Sequence, residues 1–268
     1  MEALSDYEAL IRMTVFTGIF VLFAALESIF PRRNRTKPRF GRWFANFGML
    51  FIANLVMRFG LPLLAIGVAF EMQARRIGLF NLVDWPVWLE ILLAVILLDL
   101  AIWAQHVAMH HVPWLWALHR VHHADEDLDA SSGIRFHPLE QLISMVFKMA
   151  VVGALGPAPL AVFLFEVILN ATSMFSHASL NLPIRADAIL RKLIITPDFH
   201  RVHHSVHPDE TNSNYGFCLS LWDRLFRTYT AQPREGHETM PLGLDRRPDG
   251  NTASLWWSLI LPFRKSGT

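Results

Sequence analysis

The chain has 268 residues, a formal charge of +1 and one cysteine, with 53% hydrophobic and only 18% charged residues. So balanced a charge gives no support for nucleic-acid binding, and the lone Cys218 excludes an intrachain disulfide framework and a thiolate metal site. Mean hydropathy is +0.31, and apolar runs reach membrane-spanning length, so residues 1–268 read as one membrane-embedded domain and not as a soluble one.

The first apolar run, about residues 10–29, follows Glu2, Asp6 and Glu8, not a basic segment, which predicts a retained helix and not a cleaved signal peptide. Pro31 ends it. Arg32, Arg33, Arg35, Lys37, Arg39 and Arg42 follow at once, and the positive-inside rule places that short loop in the cytoplasm. A second run, residues 44–70, is interrupted by Arg58 and Pro62 and is expected to kink or tilt. Residues 71–84 then lie on the far side. The third run, residues 85–104, brings the chain back and delivers His106 and His110 at its cytoplasmic end.

Between residues 139 and 175 lie two shorter apolar pieces, broken at Gly153 and at Gly156-Pro157-Ala158-Pro159, which predict a helical hairpin. The expected architecture is an all-α integral membrane protein. It has about four to five membrane-embedded helices, one pair as a hairpin, and a cytoplasmic helical cap carrying a histidine-rich dinuclear metal site. Residues 253–263 (ASLWWSLILPF) are too short to span; Trp256-Trp257 with Arg264 and Lys265 fit either an interfacial anchor or a segment packed on the cap.

Eight of thirteen histidines fall into three clusters: His106 and His110; His119, His122 and His123; His200, His203 and His204. Positions i, i+3 and i+4 share a helical face, so each cluster aims its imidazoles at one point. One metal ion can use only part of that supply, which points to a polynuclear centre, with two metals as the simplest count. A new helix expected from the turn at Val112-Pro113-Trp114 carries the middle cluster, and Thr196 or Asp198 is expected to cap the one that carries the last. In the return leg of the hairpin, Glu166, Asn170, Ser173 and His177 form a polar stripe, the kind of intramembrane feature that marks a functional site. His177 reads as a ninth ligand, Asn170 as lining the site or the substrate cavity, and Asn181 as a further donor, direct or through water.

Asp99 lies on the face of His106 and His110 at offsets of seven and eleven, and is expected to accept from a ligand imidazole N–H or a nearby Arg or His, the alternative being a polar contact in helix packing. His137, before Pro138, is either a partner of the site or the cap at a helix start. His111, His207 and His237 are left outside the site, His237 as exposed; Glu90 receives no role, and the acidic stretch 125–129 (DEDLD) reads as a solvated loop.

These residues carry a family resemblance. From Leu98 to Tyr229 the chain resembles the fatty acid hydroxylase and sterol desaturase superfamily of integral-membrane di-iron oxygenases. The likeness rests on His106-x-x-x-His110, HRVHH at 119–123, RFHPLE at 135–140, SHASLNLP at 176–183, TPDFHRVHH at 196–204 and NYGFCLSLWDRLF at 214–226. It departs at Arg227, where relatives commonly carry glycine. The resemblance implies two iron ions held by the nine histidines, with zinc able to substitute in purified protein and no catalytic residue beyond the ligands. It also implies O2, a lipid substrate reaching the site laterally, and hydroxylation or desaturation of an unactivated C–H bond. Neither a G-x-G-x-x-G nor a C-x-x-C-H motif is present, so electrons are expected from a separate cytoplasmic donor, for which the acidic loop, Arg185, Arg191 and Lys192 offer docking surface. Two other readings are a zinc-dependent membrane hydrolase with Glu140 as general base, weakened by the lack of H-E-x-x-H, and a metal transport or storage protein. The latter would hold its ligands near the bilayer midplane.

Overall fold

The computed structural model describes residues 2–264, with side chains from Tyr7 onward. The side chains of Glu2 and Asp6, and Lys265 of the tail, lie outside the described residues. Helix α1 is Glu2–Ile29, α2 Arg39–Gly60, α3 Ala65–Arg75, α4 Val87–His111, α5 Pro113–His123, α6 Pro138–Leu155, α7 Pro159–His177, α8 Ile184–Leu190 and α9 Pro197–His203. Short helical turns follow at Pro208–Thr211, Leu221–Leu225, Gly236–Thr239 and Leu255–Ile260. Among the described residues there is no strand, only isolated bridges such as Pro31 with Leu180.

Five segments are long and apolar enough to cross a membrane: Tyr7–Ile29, Arg39–Leu82, Val87–His111, Pro138–Leu155 and Pro159–His177. The chain is an integral membrane protein. The second segment is broken where Pro62 removes a backbone donor, so α2 and α3 are separate helices and not one kinked rod. At 25 residues, α4 is about 37 Å long. That length carries it past the apolar run, so His106 and His110 stand on its last two turns and not beyond its end.

Hairpin α6–α7 turns at Gly156, whose φ of 60° is the left-handed cap that a side chain resists. Gly78, at φ 107°, sits against it so closely that a Cβ there would lie 2.5 Å from the Gly156 backbone. Asn81 Nδ2 donates to the Gly156 carbonyl at 2.7 Å, and Glu90 accepts the Ala158 N–H at 2.7 Å. Glu90, given no role above, thus caps the N-terminus of α7. The hairpin tip and the turn after α3 lie at one end of the bundle and the histidines at the other.

At the histidine end the loops are tied down by buried charge. Arg42 is 2% exposed; its Nε and Nη2 meet both oxygens of Asp125 at 2.8 Å, and Nη1 meets Asp129 at 2.8 Å. Asp127 accepts from Thr36 and Lys37 backbone N–H groups at 2.8 and 2.6 Å. The expectation of a solvated acidic loop is therefore wrong: Asp125, Asp127 and Asp129 are buried, because the basic loop supplies their partners. Arg32 pairs with Asp198 and Glu238, and Arg39 with Glu27. His237 is buried too, 3.7 Å from Asp198, contrary to its expected exposure. In the tail, Trp257 and Leu261 pack against Met49, Val121 and Ala124, while Trp256 stays 70% exposed. Of the two expectations, packing on the cap is met by one face of the segment, while the other face is exposed.

Candidate metal centre

All nine histidines named above converge, and they form two groups. His106, His110, His119, His123 and His203 make one; His122, His177, His200 and His204 make the other, with the donor atoms of each group within 4.8 Å of one another. Every one is buried. The two H-x-x-H-H motifs therefore divide and do not each aim at one point. On α5, His119 and His123, four apart on one ridge, serve the first group, and His122 serves the second. On α9, His200 serves the second group, as does His204 at the helix C-cap, while His203 turns to the first. Thr196 caps α9 by accepting the Phe199 N–H at 3.3 Å, and Pro113 and Pro197 stand at the first turn of α5 and α9.

Hydrogen bonds fix the tautomers. His106 Nδ1 donates to the Tyr215 carbonyl at 2.6 Å, His203 Nδ1 to the Ser213 carbonyl at 2.7 Å and His177 Nδ1 to the Ser173 carbonyl at 2.7 Å. His122 Nδ1 donates to the Arg135 carbonyl at 3.2 Å, and His119 Nδ1 to Glu140 Oε1 at 2.6 Å. A carbonyl has no proton to give, so Nδ1 carries it and Nε2 presents a bare lone pair. The lone pairs face each other: Nε2 of His106 is 3.0 Å from that of His119 and 3.1 Å from that of His203, and Nε2 of His177 is 3.0 Å from that of His122. Opposed lone pairs repel unless a cation lies between them. Metal–imidazole bonds of about 2.1 Å at right angles put donor nitrogens about 3 Å apart, so these residues fit a bound metal ion.

The protonation states agree. Burial, then repulsion among neighbouring imidazoles, holds His122, His123, His200 and His204 well below the usual histidine range, and burial takes His203 down to about 3. These rings remain neutral donors.

The remaining candidates are placed differently. Asp99 accepts from the backbone N–H of Cys218 and Leu219 at 3.2 and 3.1 Å and from Trp222 Nε1 at 2.9 Å, with no histidine among its partners. Its expected bond to a ligand imidazole is not formed, since seven residues on a helix set it about 10 Å below His106. Instead it orders residues 218–222, beside the loop whose carbonyls orient His106 and His203. Asp223 holds that loop too, accepting from Tyr215 N–H at 2.9 Å and Gly216 N–H at 2.8 Å. His137 is the cap of α6: Nδ1 accepts the Leu139 N–H and Nε2 donates to the Leu259 carbonyl, each at 3.2 Å. Asn181 is exposed and its backbone pairs with Phe30, so it is no donor to the site. Asn170 lines a cavity with His106 and His119. Arg227, at φ 61°, occupies the left-handed conformation that glycine takes readily.

Sequence reasoning missed two contacts. Glu140 is the carboxylate partner of His119, and its place three residues after His137 in RFHPLE was the available signal. Phe136 stacks on His122 with centroids 4.3 Å apart. The cavity has a volume of about 680 Å³; it begins at His106, His119 and Glu140 and runs between α1, α6 and α7 to Arg12, Lys148 and Glu166.

The family model described as fatty acid hydroxylase matches residues 91–228. Ornithine lipid hydroxylase OlsE of Rhizobium tropici is 27% identical over 274 residues, covering 98% of this chain and 78% of that protein. Human alkylglycerol monooxygenase is 31% identical over 156 residues, 58% of this chain and 33% of that protein. Mouse cholesterol 25-hydroxylase is 28% identical over 147 residues, 54% of this chain and 48% of that protein. The chain thus spans less than half the length of the last two. No solved structure matches the chain.

Proposed function

The chain belongs to the fatty acid hydroxylase family, and from that premise we propose that it is a membrane-embedded di-iron oxygenase that hydroxylates an unactivated C–H bond of a lipid. The observation that carries this reading is the meeting of two buried histidine groups with the end of a long intramembrane cavity. His106, His110, His119, His123 and His203 would hold one iron, and His122, His177, His200 and His204 the other. Iron supplies there the redox chemistry with O2 that such a bond needs and that zinc lacks. In balance, R–H, O2, two electrons and two protons give R–OH and water, with the electrons from a separate donor on the cytoplasmic side.

The chain's own residues do the rest. Ile102, Met109, Phe136, Met174 and Phe217 line the cavity near the histidines, exclude water and hold the alkyl chain beside them. Glu140 and the carbonyls of Tyr215, Ser213, Ser173 and Arg135 keep the Nδ1 protons and so aim Nε2 inward. The hydroxylase and monooxygenase relatives favour oxygen insertion over desaturation. The same relatives disfavour a hydrolase role for Glu140.

The test is lipid profiling by mass spectrometry of cells expressing the chain or its His203→Ala variant. A lipid gaining one oxygen atom, dependent on O2 and absent with the variant, is expected. The same profile from both overturns the reading.

A further inference from the structure

The far end of the cavity is charged. Glu166 Oε1 meets Lys148 Nζ at 2.8 Å and Oε2 meets Arg12 Nη2 at 2.9 Å, while Arg12 Nε donates to Glu8 at 2.7 Å. The Arg12 guanidinium also lies over the Phe163 ring, 4.7 Å from its centroid. All four charged side chains line the same cavity as His106 and His119. Ions inside a membrane bundle are costly and mark ligand paths, unless pairing alone explains them. Pairing does not use up this group. Lys148 has three donors and one partner, and Arg12 keeps Nη1 after serving Glu8 and Glu166. A polar track leads from there to the histidines, with Lys148, Ser144 and Glu140 on one ridge of α6 and Glu166, Asn170 and Ser173 on the facing ridge of α7.

The signs decide the ligand. Among the described residues the quartet is two cations and two carboxylates, which is neutral. A singly charged head would leave net charge in a medium that solvates it poorly, whereas a head bearing both signs leaves none. We propose, resting on the lipid-oxygenase reading, that Glu8, Arg12, Lys148 and Glu166 form the head-group site of the substrate cavity and take a zwitterionic head, an ammonium together with a carboxylate or phosphate. The ammonium meets the carboxylates, and the anionic oxygens take the free donors of Lys148 and Arg12. Lys148 stands eight residues from Glu140 on α6, about 12 Å along the axis, a span that an extended alkyl chain covers in roughly ten carbons. The carbon presented to the histidines is then counted from the head.

The test uses the full chain in lipid nanodiscs and measures binding by calorimetry, independently of turnover. The probes are Nα-hexadecanoyl-lysine, hexadecanoic acid, hexadecylamine and hexadecyl phosphate esterified to ethanolamine, so that carboxylate and phosphate are compared. The zwitterionic probes should bind about ten- to a hundredfold tighter than either singly charged one, the scale of one or two charged hydrogen bonds. Lys148→Met leaves Glu166 paired with Arg12 and should keep the metal content while losing that preference; Lys148→Arg should retain it. Equal binding of all probes, or an unchanged preference in Lys148→Met, overturns the assignment. Preference without oxygen insertion into any lipid would sink the oxygenase reading and leave the head-group site standing.

Discussion

Glu140 accepts a hydrogen bond from His119 Nδ1 at 2.6 Å, and both side chains border the cavity of about 680 Å³. The carboxylate holds the proton on Nδ1 and prevents the ring from turning. Glu140→Ala should lower metal affinity or turnover about 10–100-fold, the range for losing such a partner. Glu140→Gln, which still accepts through its amide oxygen, should lose less. Metal analysis and turnover of the two variants check this, and wild-type values for the alanine form would refute it.

His177 is central to its group: its Nε2 lies 3.0 to 3.2 Å from those of His122, His204 and His200. Purified wild-type protein from iron-replete cells should carry about two metals per chain, and His177→Ala about one, because the five-histidine group is left whole. Retention of both metals by the variant would show that the return leg only packs.

Arg42 makes a two-pronged contact with Asp125 and a further bond to Asp129, all nearly sealed from solvent. Arg42→Met would strand two buried carboxylates, a loss of about 3–5 kcal/mol. Thermal unfolding in detergent should show a large drop, and Arg42→Lys a smaller one, since lysine restores charge without the fork. An unchanged midpoint for Arg42→Met would mean the loop has another anchor.

Sidedness can be read with single cysteines. Burial, and next the Asp99 carboxylate, push the Cys218 thiol well above its usual range, so the native thiol should stay silent to maleimide. Arg76→Cys, after α3, and Lys192→Cys, after α8, are both at exposed positions. In intact vesicles they should label from opposite faces, with Lys192→Cys on the cytoplasmic one. Labelling of both from one face contradicts the topology.

Much of this was legible in the residues. Apolar run length marks the spans, and Gly156 with Pro157 and Pro159 marks the hairpin tip, because those residues cannot continue a helix. The histidines announced themselves by spacing. How the motifs divide was not legible: His122 and His203 part from their neighbours because α5 and α9 face each other across both groups, a tertiary relation that no local pattern encodes. Asp99 misled for a similar reason. Its helical face was right, but the rise along α4 takes it to Trp222 and not to an imidazole. Nor could DEDLD look buried until Arg42, more than eighty residues earlier, was seen against it.

Both histidine groups draw on α9, through His203 in one and His200 and His204 in the other. During synthesis neither group is complete until that helix has left the ribosome, by which time all the long apolar helices precede it in the chain. Loading of the proposed centre would therefore be a late event in biogenesis. A chain ending before residue 200 would lack one of five donors in the first group and two of four in the second, so the second group depends on the late helix more than the first does.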